Sequence, residues 1–284
     1  MTILESLYST LDGFRSYAPF VDSNATFKEL NSSAASAQKQ ICIIISTAVF
    51  DKIKVEPSSK KEALLTAMAN LTLSKQLVFD VITQRKSDVD IYKYELEAMR
   101  RSYIDNYYNG MDTLIQLLDE DTAETGWRSS KYYTIALGLR IKTTDAFDTL
   151  YPIDLSYLYF FRTIPLQAEI LDERMNDSFD KASGNESATS VLLRALAKMT
   201  VSLSLRRFDV LEFPPTIRNL FDDSKISRNG ADEQKQMLNL SAGLKNEADV
   251  LIQSVDNILS NSETLAVDTQ TDFNLPSDNI FLMP

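Results

Sequence analysis

Glu62–Ile82, EALLTAMANLTLSKQLVFDVI, and Ser190–Val210, SVLLRALAKMTVSLSLRRFDV, decide the reading of this chain, because they are one pattern written twice. They align without a gap and share seven of 21 positions: Leu64/Leu192, Leu65/Leu193, Ala67/Ala195, Ala69/Ala197, Thr72/Thr200, Ser74/Ser202 and Leu77/Leu205. Leu64, Met68, Leu71, Val78 and Ile82 step along the first at helical spacing. Leu192, Leu196, Met199, Arg206 and Val210 are their counterparts. Both segments are apolar well beyond one stripe, which predicts a central, mostly buried helix over about 62–85 and another over about 189–210. The shared Ala, Thr and Ser positions let a neighbouring helix approach closely. Lys75 exchanged for Leu203, and Val78 for Arg206, marks where the two copies face different surroundings.

Working outward, a second pair of patterns follows. Leu96, Met99, Tyr103, Tyr107, Met111, Leu114 and Leu118 step by three and four, and so do Met237, Leu240, Leu244, Ala248, Ile252, Val255 and Leu259. These predict long amphipathic helices of near-heptad pattern, the first with a bend at Gly110. A less regular helical region precedes each central helix, from Phe27 to Ile53 and from Leu155 to Met175. Breaks are expected at 54–61, 87–90 and 176–187, with a longer loop at 211–232 that holds Pro214 and Pro215. The expected fold is therefore all-α, two tandem copies of a helical-bundle unit over 1–125 and 126–261, joined near Asp119–Trp127. Residues 262–284 lose the helical period and carry two prolines, which predicts an extended C-terminal tail. Its Phe273, Leu275, Ile280, Phe281 and Leu282 are the expected partner-docking residues.

Composition limits the chemistry. The 284 residues are 44% hydrophobic and 24% charged, which fits a globular chain. Seven Gly and eight Pro are few enough to favour long helices. A formal net charge of −11 with no basic patch argues against a general nucleic-acid surface. There is no histidine, so His-dependent triads and His-containing zinc sites are excluded. The single cysteine, Cys42, lies in the run Ile41–Ile45 and reads as a small core residue; it can form neither a disulfide within the chain nor a thiolate cluster. No phosphate-binding glycine loop occurs. Asp119, Glu120 and Asp121, like Asp172–Glu173 and Asp222–Asp223, read as solvated ends, and the tyrosines of 92–108 and aromatics of 132–161 as packing. No catalytic residue, cofactor or metal is expected. No membrane span and no secretory signal are expected either, which suggests synthesis in a cytoplasm.

One further pattern spans both halves. WRSSKYY at 127–133 is followed by LRIKTTDAF at 139–147, YPI at 151–153 and the Pro165–Glu169 region; earlier come YAPF from Tyr17 and the helical stretch Ala34–Ile53. This resembles helical head–tail connector, or adaptor, proteins of tailed bacteriophages and prophages, over most of residues 14–260. The resemblance implies a non-enzymatic virion protein assembled in the host cytoplasm. It implies a ring, dodecameric like the portal above it, that extends the DNA channel and touches portal and adjoining tail proteins. DNA would pass through without specific binding. The residues alone leave other readings open: another helical virion or assembly protein (tail-completion, scaffold or cargo), a cytoplasmic helical binding module, and a histidine-free hydrolase using two carboxylates.

Overall fold

A computed structural model describes residues 2–18, 25–85, 93–221 and 230–267, and every regular element among them is helical. In chain order these are α1 (Ile3–Leu7), α2 (Leu11–Tyr17), α3 (Asn31–Ile45), α4 (Thr47–Ile53), α5 (Ser59–Arg85), α6 (Lys93–Glu120) and α7 (Thr125–Arg128). Then come α8 (Lys131–Gly138), α9 (Thr144–Leu150), α10 (Tyr157–Ile170), α11 (Asn176–Lys181), α12 (Glu186–Arg207), α13 (Pro215–Arg218) and α14 (Gly230–Val267). A π turn, Leu171–Met175, joins α10 to α11, six residues after Pro165, whose missing N–H already interrupts the ladder of α10.

The most extensive helix pairings are α5 with α6 and α12 with α14. Small residues make both possible. A Cβ built on Gly110 of α6 would lie 2.9 Å from the Ala67 nitrogen and 3.1 Å from the Ala63 carbonyl oxygen, so only glycine fits there. In the second pair, Ser202 donates to the Ser241 carbonyl at 2.7 Å, and Ser241 to the Ser202 carbonyl at 2.9 Å. Such exchange satisfies both hydroxyls where the backbones nearly touch. Gly110, where the sequence suggested a bend, is thus a close-approach residue inside one continuous helix.

Burial runs in parallel through the two halves. Leu64 and Leu192, Ala67 and Ala195, Ala69 and Ala197, Thr72 and Thr200 are each fully enclosed. Tyr103 and Leu244, Tyr107 and Ala248, Leu114 and Val255 are buried at corresponding places on α6 and α14. The preceding helices follow suit, α3 lying on α5 and α10 on α12. Ser33 of α3 donates to Gln76 of α5 at 2.8 Å, and Tyr159 of α10 meets Ser204 of α12 at 2.8 Å, at matching positions. Even the short helices pair, α2 packing on α5 and α9 on α12. Each opens on a threonine cap, Thr10 accepting from Gly13 N–H and Thr143 from Ala146 N–H, and each buries one phenylalanine, Phe14 or Phe147, completely. The sequence carries this as Thr10-x-Asp12-x-Phe14 and Thr143-x-Asp145-x-Phe147.

Some expectations need correction. Val78 and Met99 are exposed, Val78 at 63%, because the stripe leaves the seam toward the end where α5 stops and α6 begins. Cys42 is half-buried rather than core, beside an exposed Ile43. The expected break 176–187 contains α11, and the loop 211–232 contains α13 and the start of α14, behind the 3-10 turn Val210–Glu212. Helix α14 continues past Ser262 to Val267, so the tail does not begin at 262. Phe273, Leu275, Ile280, Phe281 and Leu282 lie outside the described residues, as do Asp222 and Asp223. Helix α12 is long and apolar enough to cross a membrane, contrary to expectation, but its apolar side chains are largely enclosed by neighbouring helices.

Candidate functional site

A cluster of polar groups in strongly perturbed environments lies where α6 meets α10 and the segment 209–218. Asp112 projects from α6 and receives the Leu158 N–H at 2.7 Å and the Ser156 hydroxyl at 3.2 Å. It thereby caps α10, a helix from the other half. A carboxylate suits the free N–H groups and positive dipole end there. Burial nevertheless pushes its pKa up to about 6, and the bonds from Leu158, Ser156 and Tyr157 hold it from rising further.

One turn earlier, Tyr108 donates to the Glu212 carbonyl oxygen at 2.8 Å. Arg162 of α10 pairs with the Glu212 carboxylate at 2.6 Å, points at the Tyr108 hydroxyl at 3.4 Å and stacks over Phe208, 4.6 Å from its centroid. Burial pulls the guanidinium pKa down, but Tyr108 and Glu212 outweigh it and raise it overall. Burial drives the Tyr108 hydroxyl well above its ordinary range, so it stays protonated and a donor. Lys75, the residue exchanged for Leu203, approaches the same cluster; burial lowers its pKa, with Glu212 opposing and Arg100 assisting. Arg218 reaches Asp105 of α6 at 3.1 Å. Asp154, at φ 56°, accepts from the Thr216 backbone N–H at 2.8 Å and from the Thr216 hydroxyl, tying the loop before α10 to α13.

These groups satisfy one another across the seam. Their chemistry is that of a joint: a charged clamp surrounded by Tyr159, Phe208 and Phe213. The residues singled out from sequence fall elsewhere. Asp121 pairs with Lys60, Glu124 with Lys52 at 2.7 Å, and the Asp119 carbonyl accepts from Arg128 at 3.1 Å. The acidic run at 119–121 is therefore partly a strap holding the link between the halves, not simply a solvated end. Among the described residues no group of three or more His, Cys, Asp or Glu is placed to hold a metal. The Cys42 thiol is pushed above its ordinary pKa, chiefly by burial. Trp127 is fully buried against Phe161, with ring centroids 4.9 Å apart, in keeping with aromatic packing. Sequence reasoning missed the Asp112, Tyr108, Arg162 and Glu212 constellation. Its members lie far apart in the chain, so no spacing announces them.

Outside the seam, several large apolar side chains remain exposed, among them Val78, Phe79, Leu137, Leu220, Leu238 and Val250. Among the described residues the fold is all-α, and the polar cluster where α6 meets α10 is satisfied largely by bonds within the chain. Comparison of the chain with known protein families, with curated proteins and with solved structures finds no match.

Proposed function

We propose that the protein is a structural subunit of a larger assembly, a head–tail connector or adaptor ring protein of the tailed-phage type. Its chain is a duplicated helical unit, residues 1–125 and 126–261, followed by a docking tail. The duplication is supported by the paired burial of α5 with α12 and α6 with α14, and by the matching Thr caps and phenylalanines of α2 and α9. The connector assignment rests on the sequence resemblance.

The single observation that carries the assembly reading is the exposure of Val78 and Val250 on helices whose seams are otherwise well buried, with Val250 64% exposed. Apolar side chains left on the flanks of a rigid helical body are suited to neighbouring subunits. The acidic balance, −11 overall, suits a surface past which DNA slides without adhering. In this reading the subunit contacts its own copies, the portal and adjoining tail proteins, and resides in the virion. Cryo-electron microscopy of particles made by the genome that encodes the chain tests it. A helical ring of this subunit beneath the portal is expected; particles that lack the subunit refute the connector role. Velocity sedimentation of the full chain, alone and with its portal, tests self-assembly separately.

A further inference from the structure

Helices α12 and α14 leave an open groove of about 430 Å³ on their outer side, lined by Lys198, Asn246, Glu247, Val250 and Leu251. Lys198 and Glu247 pair across it, and Val250 and Leu251 give it an apolar floor. The corresponding place in the first half is built differently. There Asn70 stands for Lys198 and Asn109 for Val250. The Asn70 amide donates to the Tyr17 carbonyl at 2.9 Å, and the Asn106 amide to Asn70 at 3.3 Å, so the first half closes the place with polar bonds to its own N-terminal segment. The second half instead offers an exposed apolar residue.

We propose that this groove receives residues 268–284 of a second copy of the chain. The proposal rests on the assembly reading above and names the surface that the tail would use. Its first support is chemical complementarity. Residues 268–284 hold Phe273, Leu275, Ile280, Phe281 and Leu282 between Asp268, Asp272 and Asp278, with no Lys or Arg. Beside the apolar floor, one turn before Lys198 on the same face of α12, stands the exposed Arg194, which has no ion-pair partner among the described residues. The apolar side chains of Phe273 and Leu275 match the floor in character, and the charge of Asp272 is opposite to that of Arg194.

Chain geometry favours a second copy over the same one. The contacts Ser202–Ser241 and Lys198–Glu247 set the antiparallel register of α12 and α14. At about 1.5 Å per residue, Val267 lies roughly 25 Å along the helix from Val250, and about 13 Å beyond the level at which α12 begins. The chain therefore leaves α14 heading away from its own groove. To return, it must reverse and spend about eight fully extended residues, at about 3.3 Å each, before Leu275 arrives. A neighbouring copy lying ahead needs no reversal.

Site-directed cross-linking of the full chain tests this. In a Cys42→Ser background, one preparation carries Val250→Cys and another Phe273→Cys, and the two are mixed under mild oxidation. Disulfide-linked pairs of unlike chains are expected, well above like-with-like pairs, and Arg194→Glu should reduce them severalfold. A single chain carrying both substitutions should link mainly between molecules. If that chain instead closes on itself as a monomer, the second-copy assignment is overturned. If no link forms while the full chain sediments as an oligomer, the groove is not the tail's seat and the assembly reading stands. If the chain sediments as a monomer at every concentration, with or without the portal, both fall.

Discussion

Asp112 gives the sharpest test of how the halves are joined. Its carboxyl is pushed from an ordinary 3.8 to about 6, first by burial, while two backbone N–H groups and the Ser156 hydroxyl partly oppose the rise. A group whose folded pKa is raised favours the folded state most when protonated. That stabilisation is full below the unfolded value and is lost as pH climbs through the folded one. A rise of this size corresponds to about 3 kcal/mol in total. Between about pH 8 and about pH 5 the share recovered is on the order of 1 kcal/mol, since the native carboxyl is then mostly protonated and the unfolded one is not. Asp112→Asn keeps an oxygen to accept from Leu158 and Ser156 but cannot titrate. Urea melts of both proteins at these two pH values therefore read the effect directly. The stability of the unsubstituted chain relative to Asp112→Asn should rise by about 1 kcal/mol on going to the lower pH. Parallel profiles, or a relative loss on acidification, would refute the account of a buried, reluctant charge at the N-terminus of α10.

Three further outcomes are expected. Gln167 is completely buried, and neither its amide nitrogen nor its oxygen finds a partner among the described residues, whereas the matching residue on α3 is Ile41; Gln167→Ile should raise stability by about 1–2 kcal/mol in denaturant melts, and a loss would mean that the amide is bonded. Gly110→Leu should destabilise by about 3 kcal/mol or more, because the new side chain meets Ala63 and Ala67 backbone that cannot swing aside; a near-neutral melting temperature would show that α5 and α6 separate freely. Leu64→Ala and Leu192→Ala should each cost about 2–5 kcal/mol, and unequal losses would show which half collapses around its cavity.

The central helices were legible in the stripes Leu64, Met68, Leu71 and Leu192, Leu196, Met199, because burial on a helix leaves a periodic trace in the residues themselves. So were the partner helices, whose buried faces fall where the three-and-four spacing puts them. The Thr-x-Asp-x-Phe signal ahead of each central helix was also present in the sequence, at 10–14 and 143–147, but its meaning depends on seeing both phenylalanines seated beside that helix. Cys42 shows the limit of composition: an apolar run around a small residue predicts a core position, yet which face of α3 turns outward is decided by where α5 lies.

By itself, then, the sequence determined the all-α class, the two central helices, the long helices that follow them and the scarcity of histidine and cysteine chemistry. Each of these is local or additive, set by residue type and period along one segment. Only the tertiary structure decided that Gly110 is a contact point against Ala63 and Ala67, that the acidic run at 119–121 straps Lys60 and Arg128, and that Asp112, Tyr108, Arg162 and Glu212 form one joint. Those outcomes depend on which backbones approach and which charges lose their water. Such contacts bring together residues far apart in the chain, and no period along it encodes them.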